Sequence, residues 1–493
     1  MIQIKHVTFT YQAAEAAGGV YDIDLTIPAG QVVLLCGESG CGKTTLTRLL
    51  NGLIPHYFEG TLTGSVEIGG KLVSAQPLYE TARLVGSVFQ NPRSQFFNVD
   101  TTSEITFGCE NLGMPEAEIR SRLAHTVSAL RLEPLLDRSI FALSGGEKQR
   151  IACAGAFMME PQVFVLDEPS SNLDADAIQD LRRVIAYLKS LGKTVVVSEH
   201  RLYYLQGIAD RYLYLKAGRI CGDYTQAQFA ALSDETRQGM GLRACSLAAL
   251  SGSGSAPSGQ TAALWDFRFA YKNAPETLRI DTQEIPYGGI VAIIGHNGAG
   301  KSTFCRCFCG LEKRCGAVAI NGKRYRPKDR LRLSYMVMQD AGHQLFAETV
   351  LDEVLISMAE EDETAAKKIL AALDLTPYLA RHPASLSGGQ KQRLAIASAI
   401  AAQRTVLFFD EPTSGLDYRH MLQTAQLLRQ LRQSGKTAYL ITHDPELICA
   451  CCTDVIHLEA GRIAACYPMD EAGVAKVRSF FRLDQARPDG VCG

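Results

Sequence analysis

Short, unbroken apolar runs recur along the chain, and each ends in a glycine, an acid or a histidine. QVVLLCG (31–37) and IVAIIGH (290–296) close on glycine and lead into the patterns TTLTRLLNGL and STFCRCFCGL, in which apolar residues recur at helical spacing. That order predicts strand, loop, helix. VFVLDE, TVVVSEH, VLFFDE and TAYLITH barely alternate. They predict strands covered on both faces, and so a parallel sheet. Between Gln90 and Ser144, EAEIRSRLAHTVSALRL predicts a helix inserted into the α/β core.

The chain contains itself twice. GESGCGKTT (37–45) returns as GHNGAGKST (295–303), LSGGEKQR (143–150) as LSGGQKQR (386–393), and VFVLDEPSSNLD (163–174) as VLFFDEPTSGLD (406–417). Ser144 to Asp167 and Ser387 to Asp410 are each 23 residues apart, and Asp167 to His200 and Asp410 to His443 are each 33. Upstream the halves differ, with 47 residues from Lys43 to Gln90 and 38 from Lys301 to Gln339. Equal long spacings identify a duplicated domain rather than a short solenoid repeat. The expected division is a first domain over 1–245, a flexible Gly/Ser-rich tether over 246–263, and a second domain over 264–493.

Composition narrows the function classes. Lys+Arg 50 against Asp+Glu 52 gives a net charge of -2, which excludes a nucleic-acid binder working through bulk positive charge. Hydrophobic residues at 46% and charged residues at 21% suit a folded globular chain. No apolar run approaches the ~18 residues of a membrane helix, and the alternating N-terminus lacks the apolar core of a signal peptide. A cytosolic chain is expected, with any membrane role supplied by a partner. Fifteen cysteines are too few for a disulfide scaffold in a chain this long. Cys305, Cys307, Cys309 and Cys449, Cys451, Cys452 lack the spacing and the histidines of a zinc set, so buried thiols are expected. Cys41, inside a glycine loop ahead of a helix, reads as a reactive thiol.

The glycine loops point to phosphate. In GxxxxGK[ST], Gly37, Gly40, Gly42 and Gly295, Gly298, Gly300 let backbone N–H groups converge on one anion at a helix start. Lys43 and Lys301 reach the β- and γ-phosphates, and Thr44 and Ser302 offer hydroxyls to Mg²⁺. Asp167 and Asp410 end apolar strands, where a carboxylate holds the metal's water shell. Glu168 and Glu411 point the other way and are placed to polarise an attacking water. His200 and His443, equally spaced from those acids, are candidates to bridge the γ-phosphate and the acid. Tyr11 and Tyr271 offer flat faces to adenine.

At LSGGEKQR and LSGGQKQR the sequence resembles the ABC ATPases in tandem form, over nearly the whole chain. The resemblance implies two P-loop domains, each a mainly parallel sheet with a helical subdomain, and hydrolysis of ATP with Mg²⁺. It places Thr45, Thr303, Gln90 and Gln339 in the nucleotide sites, the glutamines also near the metal. In the family, two such domains pair head to tail. That implies one composite site joining Lys43, Thr44, Gln90, Asp167, Glu168 and His200 to Ser387, Gly388 and Gly389. The other joins Lys301, Ser302, Gln339, Asp410, Glu411 and His443 to Ser144, Gly145 and Gly146. Asp174 and Asp417 match acids at the seam of the pair.

NGLIPHYFEGTLTGSV, VFQNPRSQFF, SEHRLYYL and VMQDAGHQLFAETV look like the energising ATPases of energy-coupling-factor importers. That resemblance implies integral membrane partners, a coupling and a substrate-binding subunit, and a place on the cytoplasmic face of the membrane. The imported solute would be a vitamin or a transition-metal ion. Phe96-Phe97 and Leu345-Phe346 are expected to meet the membrane partner. The alternative is a soluble tandem ABC protein acting on ribosomes. Such proteins tend to carry a long charged arm between the halves, where this chain has a short Gly/Ser stretch.

Overall fold

A computed structural model describes residues 1–493 except 13–17, 172, 248–249, 251, 253–255, 273–274 and 482–493. The chain divides into two compact units, Met1–Cys245 and Ser246–Gly493.

In the first unit, the described residues form a six-stranded sheet in the order Arg219–Thr225, Arg211–Lys216, Val32–Cys36, Thr194–Ser198, Val163–Asp167, Val85–Val88. All neighbours run parallel except the edge pair Arg211–Lys216 and Arg219–Thr225. Val32–Cys36 and Thr194–Ser198 are buried at every position, as their unbroken apolar runs predict. Helix Lys43–Leu50 packs Leu46, Leu49 and Leu50 into one core layer. The opposite layer is lined by Ile151, Phe157 and Ile178 from helices Gly145–Met158 and Ala175–Ser190. Each such side chain contributes about 1.5–3 kcal/mol by leaving water.

The second unit repeats this order: Arg462–Pro468, Asp454–Glu459, Ile290–Ile294, Thr437–Ile441, Val406–Asp410, Ser334–Val337. The expected helical insert is present in both units, as Thr101–Asn111 and Glu116–Leu130 in one and Val350–Leu355 and Glu363–Ala372 in the other. Each unit adds a four-stranded antiparallel sheet, Gly19–Ile27, Ile2–Tyr11, Gly60–Ile68, Lys71–Leu72 and its counterpart Glu276–Tyr287, Gln260–Ala270, Ala317–Ile320, Lys323–Tyr325.

The tether needs correction at its end. Strand Gln260–Ala270 begins inside 246–263, and Ala262 is wholly buried opposite Ile285. Small residues that read as linker are here a strand pressed against a neighbour. Upstream, the Leu250 carbonyl accepts from Arg478, the Ala256 carbonyl accepts from Arg432 at 2.7 Å, and the Ser258 N–H donates to Asp454 at 3.2 Å. These described stretches of the tether are fastened to the second unit. The tether residues 248–249, 251 and 253–255 lie outside the described set.

The described cysteines are free thiols, and most are buried. Burial pushes the Cys153 thiol up to about 12, so it stays protonated at neutral pH. Cys41 is only 5% exposed, so ready attack from solvent is not supported. Among the described residues no helix is long and apolar enough to cross a membrane.

Candidate active site

Each unit carries one site at the carboxyl ends of its central strands. Strand Val32–Cys36 runs straight into the glycine loop, and helix Lys43–Leu50 leaves it. Gly37 has φ 148°, and a Cβ there would stand 2.2 Å from the Leu215 carbonyl oxygen. Gly295 reproduces this with φ 153° and the same 2.2 Å approach to Leu458. Gly42 and Gly300 cap the following helices in the left-handed region, which only glycine enters without strain. Gly40 and Gly298 are also left-handed.

Inside the first loop, the Lys43 ammonium donates to the carbonyls of Gly37 (3.0 Å) and Glu38 (3.1 Å) and lies 3.3 Å from His200 Nε2. Lys301 donates to Gly295 (2.7 Å) and His296 (3.1 Å). The buried amines are thus held where a triphosphate's charge would fall. Tyr11 and Tyr271 sit beside these loops, their hydroxyls 3.2 Å from the hydroxyls of Thr45 and Thr303.

The metal chemistry expected from the sequence fits these residues. Thr44 Oγ1 donates to Asp167 Oδ1 at 3.3 Å, and Ser302 Oγ donates to Asp410 Oδ2 at 2.8 Å. In each unit a hydroxyl from the loop helix and a carboxylate from the strand end converge, the hard oxygen donors that Mg²⁺ takes. Burial raises both carboxyls, and neighbouring Glu168 raises Asp167 further. Hydrogen bonds from Ser198 and Thr44 and the charge of Lys43 counter this at Asp167. Ser302 and Lys301 do so at Asp410.

The second acid is aimed by an unusual backbone. Glu168 and Glu411 take φ 44° and 52°, a left-handed conformation that costs of order 1–3 kcal/mol. Their N–H groups are fastened to the Ser198 carbonyl (2.8 Å) and the Ile441 carbonyl (2.9 Å) of the neighbouring strand. The turn brings Glu168 Oε1 to 3.3 Å from His200 Nε2 and Glu411 Oε1 to 3.6 Å from His443 Nε2. Gln90 Nε2 donates to Glu168 Oε2 at 2.6 Å, while Gln339 lies exposed past the end of strand Ser334–Val337. In the first unit Lys43, His200, Glu168 and Gln90 therefore form one chain of contacts, and Thr44 and Asp167 join it through Ser198, whose hydroxyl donates to Asp167 at 2.8 Å and whose carbonyl accepts the Glu168 N–H.

Ser144 and Ser387 open helices Gly145–Met158 and Gly388–Ala401 as N-caps. Each is in a capping box: Ser144 with Glu147 (3.3 and 2.8 Å), Ser387 with Gln390 (3.4 and 2.9 Å). The serine oxygen accepts from the helix, so its own O–H is left to donate outward, beside the N–H groups of Gly145, Gly146, Gly388 and Gly389. Burial alone would raise the Glu147 carboxyl, but Ser144 and Arg138 outweigh it and hold it below the usual range. Asp174 and Asp417 are also helix N-caps, bonded to Ala177 N and His420 N at 2.9 Å.

Sequence reasoning missed three groups. Arg48 donates to Tyr11 Oη at 3.0 Å and lies 3.9 Å over the Phe58 ring, whereas its counterpart Arg306 pairs with Glu312. Glu199 and Asp444, flanking the two histidines, are buried and bonded to the loops after the acid pairs. The available signal was an acid adjoining each histidine, on opposite sides.

Comparison with known proteins agrees with this chemistry. The profile of the ABC transporter family matches residues 20–171 and 278–414. A putative ABC transporter ATP-binding protein of Treponema denticola is 43% identical over 471 residues, covering 94% of this chain and 96% of that protein. One of Methanosarcina mazei, with the same description, is 32% identical, covering 94% and 88%. Among solved structures, the archaeal ribosome recycling factor aABCE1, in complex with ribosomal stalk protein aP1, superposes with a TM-score of 0.64. It is 22% identical and covers 96% of this chain and 92% of its own. CbiO1 of Clostridium perfringens, part of the ABC transporter complex cbiONQ, covers 48% of this chain and 93% of its own, with TM-score 0.43 and 26% identity. With the glycine loops, paired acids and capped signature helices present twice, this chain belongs to the ABC transporter family and is a tandem ABC ATPase.

Proposed function

We propose that the chain is the ATP-hydrolysing subunit of a membrane importer, coupling ATP binding and hydrolysis to uptake of a small solute through separate integral subunits. Its two halves act as an intramolecular pair, with each signature serine completing the other half's ATP site. In each site the buried lysine and the loop N–H groups hold the triphosphate. Thr44 and Asp167, or Ser302 and Asp410, would hold Mg²⁺, with Gln90 or Gln339 joining them once nucleotide is bound, and the ion would supply charge neutralisation at the phosphates. Glu168 or Glu411 accepts the proton of the attacking water, and His200 or His443 keeps that acid oriented toward the γ-phosphate.

The observation that carries the importer reading is a repeated apolar tip. Phe97 and Phe346 lie seven residues beyond Gln90 and Gln339, and they are 76% and 83% exposed. Phe96 and Leu345 are half-buried, so one side chain of each pair is presented rather than both. Both tips are built alike. Buried Glu104 Oε2 accepts the N–H groups of Phe97 (3.0 Å) and Asn98 (2.7 Å), and buried Glu353 Oε2 accepts those of Phe346 (2.7 Å) and Ala347 (2.8 Å). A buried carboxylate that fixes an exposed phenylalanine suits a surface that receives an apolar segment. The relatives' description as transporter ATP-binding proteins supports the same reading.

The test is extraction of the tagged chain from detergent-solubilised membranes. The unaltered chain is expected to bring integral membrane subunits with it. The Phe97→Ser/Phe346→Ser variant is expected to lose them while binding MgATP normally. Unchanged recovery by the variant contradicts the docking role of the tips. Co-sedimentation with ribosomes, with no integral protein recovered, favours the ribosomal alternative.

A further inference from the structure

The turn carrying the catalytic histidine is tied in both units to the loop after the acid pair, but by carboxylates from different positions. In the first unit the carboxylate precedes the histidine. Glu199, 2% exposed, accepts His200 N (2.7 Å) and Arg201 N (3.2 Å) on Oε1, and Ser170 N (3.3 Å) and Tyr204 Oη (2.9 Å) on Oε2. Arg201, itself buried, donates from Nη1 to the carbonyls of Ser170 (3.3 Å) and Leu173 (3.4 Å). In the second unit the carboxylate follows the histidine. Asp444, 1% exposed, accepts Thr413 Oγ1 (2.8 Å) on Oδ2 and the N–H groups of Glu446 (3.2 Å) and Leu447 (3.3 Å) on Oδ1. Ser170 and Thr413 are equivalent, each three residues beyond its strand-end aspartate.

We infer that Glu199 and Asp444 are positioning residues for hydrolysis. Each braces the histidine turn against the loop running from the catalytic glutamate to the N-cap aspartate, Asp174 or Asp417. A buried carboxylate that accepts three or four hydrogen bonds from both segments is fixed between them. Movement of the loop is thereby transmitted to the histidine. The two positions are alternative solutions to one requirement: the pattern Ser-Glu-His-Arg at 198–201 and the pattern Ile-Thr-His-Asp at 441–444 deliver one carboxylate to the same loop. This inference rests on the reading of Glu168 and His200 as a hydrolytic pair.

The test is transplantation in the full-length chain. Glu199→Thr and Arg201→Asp, made singly, are each expected to lower kcat for ATP by up to about twofold, since only one of two sites is affected, with KM for ATP unchanged. The double variant Glu199→Thr/Arg201→Asp recreates the second unit's arrangement, with Ser170 in the place of Thr413. It is expected to recover kcat above either single variant. A double variant no better than the singles, or singles with unchanged kcat, overturns the inference. Glu168→Gln is assayed alongside. Full activity there would instead overturn the assignment of the hydrolytic pair, so the two failures are distinguishable.

Discussion

ATP turnover by the Glu168→Gln/Glu411→Gln variant is expected to fall about 100-fold or more, the typical contribution of a positioned general base, while MgATP binding survives. The effect is large because the substitution removes, at both sites, the group proposed to accept the water's proton. It leaves the lysines, the glycine loops and the metal-side aspartates untouched. Gln at 168 can keep its contacts with Gln90 and His200, so the fold has little reason to change. The check pairs a phosphate-release assay with equilibrium binding of a fluorescent ATP analogue. Retained turnover would show that the left-handed acids do not perform the chemistry.

The second large effect is on stability, with opposite sign to the effect on activity. Burial raises the carboxyls of Asp167 and Asp410 from the ordinary value near 3.8. An acid raised in this way binds its proton more tightly in the folded chain than in the unfolded one. Its contribution to stability therefore falls as pH rises from the unfolded value through the raised folded value, and is lost above it. Asp167→Asn removes the buried charge and keeps an oxygen for Ser198 and Thr44. Without nucleotide, Asp167→Asn and Asp410→Asn are each expected to raise the melting temperature at pH 7 by about 2–4 °C, corresponding to about 1 kcal/mol in a unit of this size. Below the ordinary carboxylate range the gain disappears. The same variants lose Mg²⁺-dependent hydrolysis at the altered site. Thermal melts across pH decide the matter, and a lowered melting temperature at pH 7 would contradict the account.

What was legible in the sequence is what a short stretch encodes by itself. Unbroken runs such as VVLLC and VLFFD announced central parallel strands, because strands covered on both faces have no polar side to show. The glycine loops and the capping boxes at Ser144 and Ser387 are local too: their partners lie within a few residues. Contacts closed by the fold were not legible. The brace from Glu199 to Ser170 spans 29 residues. The bond from Arg48 to Tyr11 spans 37, and nothing in TTLTRLL marks that arginine for a tyrosine on an antiparallel strand. The tether's end was misread for a related reason. Gln260–Ala263 is poor in apolar side chains, and its strand character comes from pairing with Glu284–Tyr287 rather than from its own composition. Cys41 looked reactive from its place before a helix, but the fold buries it.

The pairing of each P-loop with the other half's signature is the central claim, and paired substitutions test it most directly. On the proposed pairing, Glu168→Gln with Ser387→Arg is expected to disable one shared site only and to leave ATPase activity. Glu168→Gln with Ser144→Arg is expected to disable both, and activity to drop to background. Equal activities in the two double variants would contradict the account.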